Sequence, residues 1–327
     1  MILEGKKPEA VATDVVTKKI ALLFAGQGAQ TVGMGRDLAE QFPAAADLFR
    51  QADEILGRPL SEITWNGPIG ELTKTSNCQP ALYVHGLACL KLLREMAGDF
   101  AVEGAAGLSL GEMTAHAAAE TFDFATGLRL VQKRGELMDV ACKATSGAMA
   151  AMIGADEAAV RALAIHADVD VANINAPGQI VISGEKANVQ LAVGLAREHG
   201  IRRATVLNVA GAYHSRLMVS ASTRLSEALR EVTFHTPRFT VLSNVTGQRV
   251  ETAAEIRRTL QDQVTGTVRW ADCMEGLLAM GCDFFIELGP GGVLAGLLQR
   301  TRKGVAVVSV SDAVSLQACV EKLPAGS

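Results

Sequence analysis

The sequence has few aromatic residues, no long apolar run and little net charge. Phe, Trp and Tyr make up only 4% of its 327 residues while hydrophobic residues reach 49%, so the core must be built from Ala, Val, Leu and Ile. No apolar stretch approaches the roughly 18 residues of a membrane span, and no membrane association is expected. The net charge of −4 gives no support for nucleic-acid binding, and any basic surface must be local.

Cysteine is also sparse and shows no functional spacing. The six cysteines, at positions 78, 89, 142, 273, 282 and 319, form no CxxC pair, and none has metal-ligand spacing with a histidine. This pattern predicts reduced, buried thiols in a cytoplasmic protein. The N-terminus lacks the apolar segment of a signal peptide, and residues 1–17 are expected to form a loose leader.

The order of predicted elements indicates a large α/β domain. The elements predicted before residue 146 are a strand at 19–25, helices at 34–56 and 80–97, a strand at 101–108, a helix after Ser109 and a helix at 123–143. Those predicted after residue 212 are a helix at 214–230 and strands at 239–243 and 283–287, with a helix after the last strand.

Between these parts the pattern changes to β-α-β-β-α-β. The strands are predicted at 148–154, 169–175, 179–185 and 202–210, and the helices at 155–166 and 187–199. This order is that of a ferredoxin-like domain. We therefore predict a ferredoxin-like small subdomain at 147–211, inserted into a large subdomain that comprises 18–146 and 212–327.

One short motif points to a nucleophile. The segment Gly107-Leu108-Ser109-Leu110-Gly111 fits G-x-S-x-G, in which small residues allow a sharp turn between strand and helix and leave the serine Oγ exposed. The serine then lies at a helix N-terminus, where free N–H groups and the helix dipole favour developing negative charge. The motif alone also fits a serine that only caps a helix, so both interpretations stay open here.

A base for this serine has to come from elsewhere in the chain. Five of the six histidines lie in helical patterns, at ends of small-subdomain helices or in a loop: His85, His116, His166, His199 and His235. His214 differs because it lies at the junction back into the large subdomain, just before a predicted helix, and domain junctions form clefts. Position alone does not distinguish a catalytic His214 from a structural one.

Eight sequence blocks occur in one particular order. They are Phe24-Ala25-Gly26-Gln27-Gly28-Ala29-Gln30, Gln79-Pro80-Ala81, Gly107-Leu108-Ser109-Leu110-Gly111-Glu112, Gln132-Lys133-Arg134-Gly135 with Met138, Asn173-Ile174-Asn175-Ala176-Pro177-Gly178-Gln179 with Ser183-Gly184, Ala212-Tyr213-His214-Ser215, Gln263 with Val268-Arg269-Trp270, and Glu287-Leu288-Gly289-Pro290-Gly291. In this order the blocks resemble the malonyl-CoA:acyl-carrier-protein transacylases, the acyltransferase family of fatty acid and polyketide synthesis. The resemblance runs from about Lys19 to about Arg302 and implies an α/β fold: a hydrolase-like core with a mostly parallel sheet and a ferredoxin-like insertion.

The resemblance assigns the catalytic roles. It implies that Ser109 is the nucleophile and His214 the general base and then acid. In this family a carbonyl oxygen orients the imidazole, and Gln263 stands at the matching position; a neutral acceptor at Nδ1 still fixes the tautomer. The backbone N–H groups of Gln27 and Leu110 are expected to form the oxyanion hole.

The resemblance also implies which residues bind the acyl group. Arg134 is expected to hold the malonyl carboxylate by two parallel hydrogen bonds, although its spacing alone fits a surface position in a charged helix. Gln79, Asn175 and Tyr213 are expected to contact the substrate.

Three positions depart from the commonest family pattern. Leu108 replaces a frequent His before the nucleophile, Tyr213 a frequent Phe before the catalytic His, and Thr267 a frequent Pro. The bulky ring of Tyr213 is still expected to exclude an α-methyl branch, so methylmalonyl is disfavoured. Leu108 leaves the strictness of malonyl selection open.

The implied substrates are malonyl-CoA and an acidic, phosphopantetheinylated acyl carrier protein, and no bound metal or prosthetic group is implied. A net-acidic enzyme needs a local basic patch to bind an acidic carrier. The candidates are Lys133, Arg202, Arg203, Arg216, Arg300, Arg302 and Lys303.

Three other functions share parts of this pattern. A serine thioesterase or hydrolase would use the same serine turn with water as the acceptor, but it needs no carboxylate-binding arginine. A carrier-binding scaffold would not need both Ser109 and His214. A polyketide-type acyltransferase with another acyl-CoA is the third, and the sequence leaves fatty acid and polyketide synthesis both open.

Overall fold

A computed structural model describes residues 18–323, so the predicted leader at 1–17 lies outside the described residues. Ten strands form two sheets in this range. They are β1 Ile20–Phe24, β2 Val102–Gly107, β3 Gly147–Ile153, β4 Asp170–Ala176, β5 Gln179–Glu185, β6 Arg203–Val206, β7 Thr240–Leu242, β8 Arg249–Val250, β9 Phe284–Leu288 and β10 Ala306–Val310.

The large sheet has the strand order β10-β9-β1-β2-β7-β8. All neighbouring strands are parallel except β7 and β8, so five strands direct their carboxyl ends to one edge. Strand β1 is buried on both faces: Ile20, Leu22 and Phe24 belong to one hydrophobic core, while Ala21 and Leu23 belong to the other. This two-sided burial explains the continuous apolar run of its sequence.

Helices cover both faces of the large sheet and one face of the small sheet. They are α1 Arg36–Gln41, α2 Pro43–Leu56, α3 Leu60–Asn66, α4 Ile69–Leu72, α5 Thr75–Ala97, α6 Leu110–Ala118, α7 Phe124–Ala144, α8 Glu157–His166, α9 Lys186–Leu195, α10 Val219–Arg230, α11 Ala253–Asp262, α12 Trp270–Ala279, α13 Val293–Thr301 and α14 Ala313–Val320. Across residues 18–323, none of the helices combines the length and the apolar composition needed to span a membrane.

The small sheet is antiparallel, with the order β4-β5-β3-β6, and its chain path β-α-β-β-α-β is ferredoxin-like. Ala150 and Met152 of β3 pack in a core with α8 and α9, whereas Met149 and Val181 belong to the core of the large subdomain. The predicted fold class is therefore confirmed: a mostly parallel α/β core carries a small antiparallel sheet. The subdomain boundaries at 146/147 and 211/212 stay predictions.

Several predicted elements differ from those observed, for identifiable reasons. The helix predicted at 34–56 is two helices, because Pro43 has no N–H to continue α1 and instead begins α2. The strand predicted at 202–210 ends at Val206. The helix predicted to begin at residue 214 begins at Val219, after His214 with φ 55° and a 3₁₀ turn at Arg216–Met218.

Helix α5 begins at Thr75, five residues before the predicted start at Pro80. Proline inside a helix leaves the carbonyl four residues earlier without its usual donor. Here that carbonyl belongs to Ser76, and it accepts a 2.7 Å hydrogen bond from the Arg58 guanidinium, which also donates to Asn77 Oδ1 at 2.6 Å. A distant side chain therefore replaces the missing backbone bond.

We expect Arg58→Ala to lower the free energy of unfolding by about 1–3 kcal/mol, because the Ser76 carbonyl and the Asn77 side chain lose a charged donor. Denaturant unfolding measures the change. Arg50→Ala is the control, since Arg50 is exposed and pairs only with neighbours on its own helix; it should unfold close to the wild-type midpoint. Equal midpoints for both variants would refute this account of α5.

Candidate active site

Three loops meet at the carboxyl edge of the large sheet. Gln27 follows β1, Ser109 follows β2 and Asn244 follows β7, and these strands are parallel neighbours. A cavity of about 390 Å³ opens above this edge. Met149 and Val181 of the small sheet line its opposite wall together with 207–210, the segment that follows β6. Open α/β sheets bind their ligands at this edge.

Ser109 occupies a strained turn between β2 and α6. Its backbone angles are φ 55° and ψ −106°, a conformation that L-residues rarely adopt. Gly107 permits the turn because a Cβ at this position would collide with the backbone of Gly111. Gly26 permits the loop after β1 to lie against the serine turn, because a Cβ on Gly26 would collide with the Leu108 carbonyl. The turn therefore presents Ser109 Oγ to the cavity beside Gln27.

His214 is within hydrogen-bond distance of Ser109. Its Nε2 lies 2.8 Å from Ser109 Oγ, and its Nδ1 lies 2.8 Å from the backbone carbonyl oxygen of Gln263. A carbonyl can only accept, so Nδ1 carries the proton and Nε2 is free to accept one from the serine. Burial, and then the charge of Arg134, lowers the pKa of His214 to about 4. The imidazole is therefore neutral at pH 7.

Two backbone N–H groups of the loops that meet at Ser109 have no acceptor in the described residues. Within residues 18–323, neither the N–H of Gln27 nor that of Leu110 has an acceptor. Leu110 is the first residue of α6, where backbone N–H groups are normally free. The Ser109 N–H, in contrast, is occupied by Asn244 Oδ1 at 2.7 Å. Both predicted oxyanion-hole donors are thus available to a ligand atom.

Arg134 extends from α7 to Ser109, which lines the cavity, and is 1% exposed. Its Nη2 donates to Ser109 Oγ at 3.0 Å and to Gln263 Oε1 at 2.9 Å. Its Nη1 and Nε have no partner among the described residues. Burial lowers the pKa of Arg134 to about 10, against the opposing charge of Glu112, so the guanidinium is still a cation at pH 7. An unpaired buried cation beside a nucleophile fits an anionic substrate group.

The other predicted substrate contacts also lie at the cavity. Gln79, Asn175 and Tyr213 line it, and Gln79 Oε1 and Asn175 Oδ1 are buried without a hydrogen-bond partner within residues 18–323. The Tyr213 hydroxyl pairs with Thr75 Oγ1 at 2.7 Å, which fixes the ring against the wall formed by α5. Leu108 contributes an apolar contact surface beside Ser109.

The seven predicted basic residues lie outside the cavity and are not equivalent. Arg216 pairs with Asp168 and Asp170, and Arg302 pairs with Glu275, so their charges are already compensated. Arg300 donates to Gln179 Oε1. Lys133, Arg202, Arg203 and Lys303 are exposed and form no ion pair with any residue from 18 to 323.

Sequence reasoning missed two buried residues beneath Ser109. Glu112 and Asn244 are both 0% exposed and hydrogen bond to the serine turn or to Gln263. Glu112 directly follows the serine motif, and its place in the first turn of a helix does not indicate that its side chain is buried under the serine. Asn244 had a usable signal: a polar pair, Ser243-Asn244, follows a strand whose carboxyl end meets the edge that carries Ser109.

Comparisons with known proteins agree with this geometry. The family model for the acyl transferase domain matches residues 21–318. The malonyl CoA-acyl carrier protein transacylase of Bacillus subtilis is 40% identical over 312 residues, which cover 93% of this chain and 97% of that protein. The crystal structure of an acyl-carrier-protein S-malonyltransferase from Bartonella henselae has a TM-score of 0.89 at 37% identity and covers 93% of this chain and 99% of its own.

A further solved structure holds a type II polyketide acyl-carrier protein in complex with its malonyl-transacylase. It matches with a TM-score of 0.88 and 36% identity, over 93% of this chain and 99% of that chain. The family model alone spans most of the sequence, and the matches to the three relatives cover 97% to 99% of their own length. The chain therefore belongs to the acyl transferase family.

Proposed function

We propose that this protein transfers a malonyl group from malonyl-CoA to the phosphopantetheine thiol of an acyl carrier protein. The observation that carries the proposal is the unpaired, buried guanidinium of Arg134, which lies 3.0 Å from the Oγ of a serine paired with a neutral histidine. The names of the relatives support the same substrates, since two are malonyl transacylases of acyl carrier proteins and one was solved with its carrier protein.

The proposed reaction proceeds in two half-reactions through an ester on Ser109. His214 Nε2 takes the proton of Ser109 Oγ while Oγ attacks the thioester carbonyl carbon. The carbonyl oxygen becomes an oxyanion held by the N–H groups of Gln27 and Leu110. When the tetrahedral intermediate collapses, the carbon–sulfur bond breaks and the coenzyme A sulfur takes the proton from His214.

The second half-reaction reverses these steps with a different thiol. The carrier's phosphopantetheine thiol gives its proton to His214 Nε2 and attacks the malonyl-serine carbonyl. Collapse breaks the bond to Oγ, which recovers its proton from His214. The neutral carbonyl of Gln263 holds Nδ1 throughout, so the imidazole alternates between neutral base and cationic acid. This chemistry requires no bound cofactor.

Arg134 selects the acyl group in this proposal. A malonyl group on Oγ has only three carbons, so its carboxylate stays close to the ester and within reach of the guanidinium. Nη2 donates to Ser109 Oγ in the free protein, and acylation turns that oxygen into a weaker acceptor. Nη2 and the unpaired Nη1 can then bind the carboxylate together. We propose that the ring of Tyr213, held by its hydrogen bond to Thr75, excludes an α-methyl branch.

Two alternatives are weaker. A hydrolase would use the same serine and histidine, but it gives no role to a buried cation beside the nucleophile. A related acyltransferase for an uncharged acyl group would leave Arg134 unpaired.

We include a cytoplasmic location and fatty acid synthesis in the proposal. The location is supported by six free cysteines, all buried, that form no disulfide between residues 18 and 323.

Incubation with malonyl-CoA should add one malonyl group to the intact mass of the protein, because Ser109 forms a stable ester. The adduct should be absent in Ser109→Ala and should move to a phosphopantetheinylated carrier protein when that is added. Acetyl- and methylmalonyl-CoA are run in parallel. Loss of the adduct to water faster than to the carrier would favour the hydrolase instead.

Arg134→Ala should lower the kcat/KM for malonyl-CoA by roughly 30- to 1000-fold, in line with about 2–4 kcal/mol for a charge pair that loses one partner. Acetyl loading should fall far less, because acetyl makes no bond to the guanidinium. Arg134→Lys is the matched variant: it keeps the charge but not the planar pair of donors, so it should restore malonyl loading only in part. Equal losses for malonyl and acetyl would contradict the selecting role.

We further propose that the exposed, unpaired Arg202 and Arg203 are the main docking residues for the acidic carrier. Both precede or begin β6, the edge strand of the small sheet, whose chain continues into the cavity wall at 207–210. Lys133, Arg300 and Lys303 stay secondary candidates. Arg216 and Arg302 are the weakest, because acidic neighbours already compensate their charges.

Arg203→Glu should raise the KM for carrier protein several-fold at low salt and leave malonyl loading from malonyl-CoA unchanged, because charge complementarity acts on encounter with the carrier. Arg216→Ala is the control and should have little effect on either step. Steady-state transfer at several salt concentrations measures both. A carrier KM that is independent of salt and of residue 203 would refute this docking surface.

A further inference from the structure

Asn244 bridges the two ends of the strained serine turn. Its side-chain Nδ2 donates to the Gly107 carbonyl at 2.9 Å, and its Oδ1 accepts from the Ser109 N–H at 2.7 Å. One amide thus satisfies the last carbonyl of β2 and the backbone donor of the nucleophile. The geometry holds Ser109 in an unfavourable backbone region that would otherwise relax.

Glu112 supports this bridge from the first turn of α6. Its Oε2 accepts from the backbone N–H of Asn244 at 3.0 Å and from Gln263 Nε2 at 2.5 Å. Its Oε1 is buried and has no partner within the described part of the chain. Both hydrogen bonds of the carboxylate therefore converge on a single oxygen.

Gln263 connects this carboxylate to the reacting groups. Its Nε2 also donates to the Ser109 carbonyl at 2.9 Å, its Oε1 accepts from Arg134, and its backbone carbonyl accepts from His214. Glu112 thereby fixes which way the Gln263 amide points: NH₂ towards the carboxylate, oxygen towards the guanidinium. With the amide reversed, its oxygen would face the carboxylate and its NH₂ the guanidinium, and both contacts would be repulsive.

We propose that Glu112 and Asn244 are positioning residues for the transfer reaction, acting together as one buried hydrogen-bonded unit that sets the Ser109 turn and the Gln263 amide. The inference rests on the proposed function, since it gives the unit a role in acylation of Ser109. Both residues are fully buried and bond to the backbone of the serine turn, to Gln263 or to each other, with no bond to Ser109 Oγ or His214 within residues 18–323, so they act through those groups. Their effect is on the rate of acylation and not on binding of malonyl-CoA.

The hydrogen-bond pattern allows the role of geometry to be separated from that of charge. In Glu112→Gln, the amide oxygen at the Oε2 position can still accept both hydrogen bonds, and the NH₂ occupies the unpaired Oε1 position. In Glu112→Ala both hydrogen bonds are lost. In Asn244→Ala the serine turn loses its bridge while Glu112 remains. Glu287→Ala is the matched control, because Glu287 is another fully buried carboxylate, and it lies two strands away from β2 and bonds to α13 and Ser309 instead of to the serine turn.

The experiment is a rapid-quench measurement of malonyl-enzyme formation over a range of malonyl-CoA concentrations, with thermal unfolding recorded for each variant. We expect Glu112→Ala and Asn244→Ala to lower the maximal loading rate roughly 10- to 100-fold, as small displacements of reacting groups do. The malonyl-CoA concentration that gives half of the maximal loading rate should stay within roughly threefold of wild type, because the contacts that bind malonyl-CoA are not altered. Glu112→Gln should load within roughly fivefold of wild type. Glu287→Ala should lose thermal stability but keep the loading rate.

Two results would overturn the inference while leaving the proposed function intact. One is a wild-type loading rate in Glu112→Ala and Asn244→Ala. The other is a Glu112→Gln rate as low as that of Glu112→Ala, which would assign the effect to charge. If the alanine variants do not fold, Glu112→Asp and Asn244→Ser carry the same comparison. Failure of the wild-type protein to load at all would instead refute the proposed function and this inference with it.

Discussion

A guanidinium buried next to a nucleophile is the constraint around which the site is organised. Removing a cation from water costs several kcal/mol unless it is paired. Arg134 has only neutral hydrogen-bond partners within residues 18–323: its Nη2 donates to Gln263 Oε1 and to Ser109 Oγ. Gln263 Nε2 in turn donates to the Glu112 carboxylate. Burial is the main cause, and the charge of Arg134 the second, of a His214 pKa of about 4, so the imidazole is a neutral base at pH 7. The remaining donors of Arg134 are left for a substrate carboxylate in the proposed function.

The parallel sheet supplies the rigid edge that makes this arrangement possible. The turns after β1, β2 and β7 bring the N–H of Gln27, the Oγ of Ser109 and the amide of Asn244 together from positions more than 200 residues apart in the chain. Glu112 is a second buried ionisable group beneath them, and burial raises the pKa of its carboxyl to about 7 against the hydrogen bonds from Asn244 and Gln263. The active site therefore combines a strained serine turn with two buried ionisable groups, Arg134 and Glu112. The hydrophobic cores on both faces of the large sheet stabilise the fold that holds them.

The sequence predicted the fold class and most elements because its signals are local. Continuous apolar segments predicted the buried strands, and the G-x-S-x-G segment predicted the turn at Ser109. Tertiary contacts decided what it did not predict. The start of α5 depends on Arg58, which satisfies a carbonyl 18 residues away, and the burial of Arg134 is invisible in a charged helical segment. Asn244 has a polar side chain in a loop, and only strand pairing places it under the serine. The resemblance assigned roles to Arg134 and Gln263 but gave no reason to single out Glu112 or Asn244.

The proposed role of Arg134 is tested most directly by where the acyl carboxylate lies once Ser109 is loaded. A crystal structure of the malonyl-enzyme, trapped by freezing crystals soaked in malonyl-CoA, measures this. We expect the carboxylate oxygens to lie within hydrogen-bond distance of Arg134 Nη1 and Nη2, with the Gln263 Oε1 contact retained. The ester carbonyl should be directed at the N–H groups of Gln27 and Leu110. A malonyl group whose carboxylate points to the cavity mouth, with Arg134 unchanged, would contradict the proposed role.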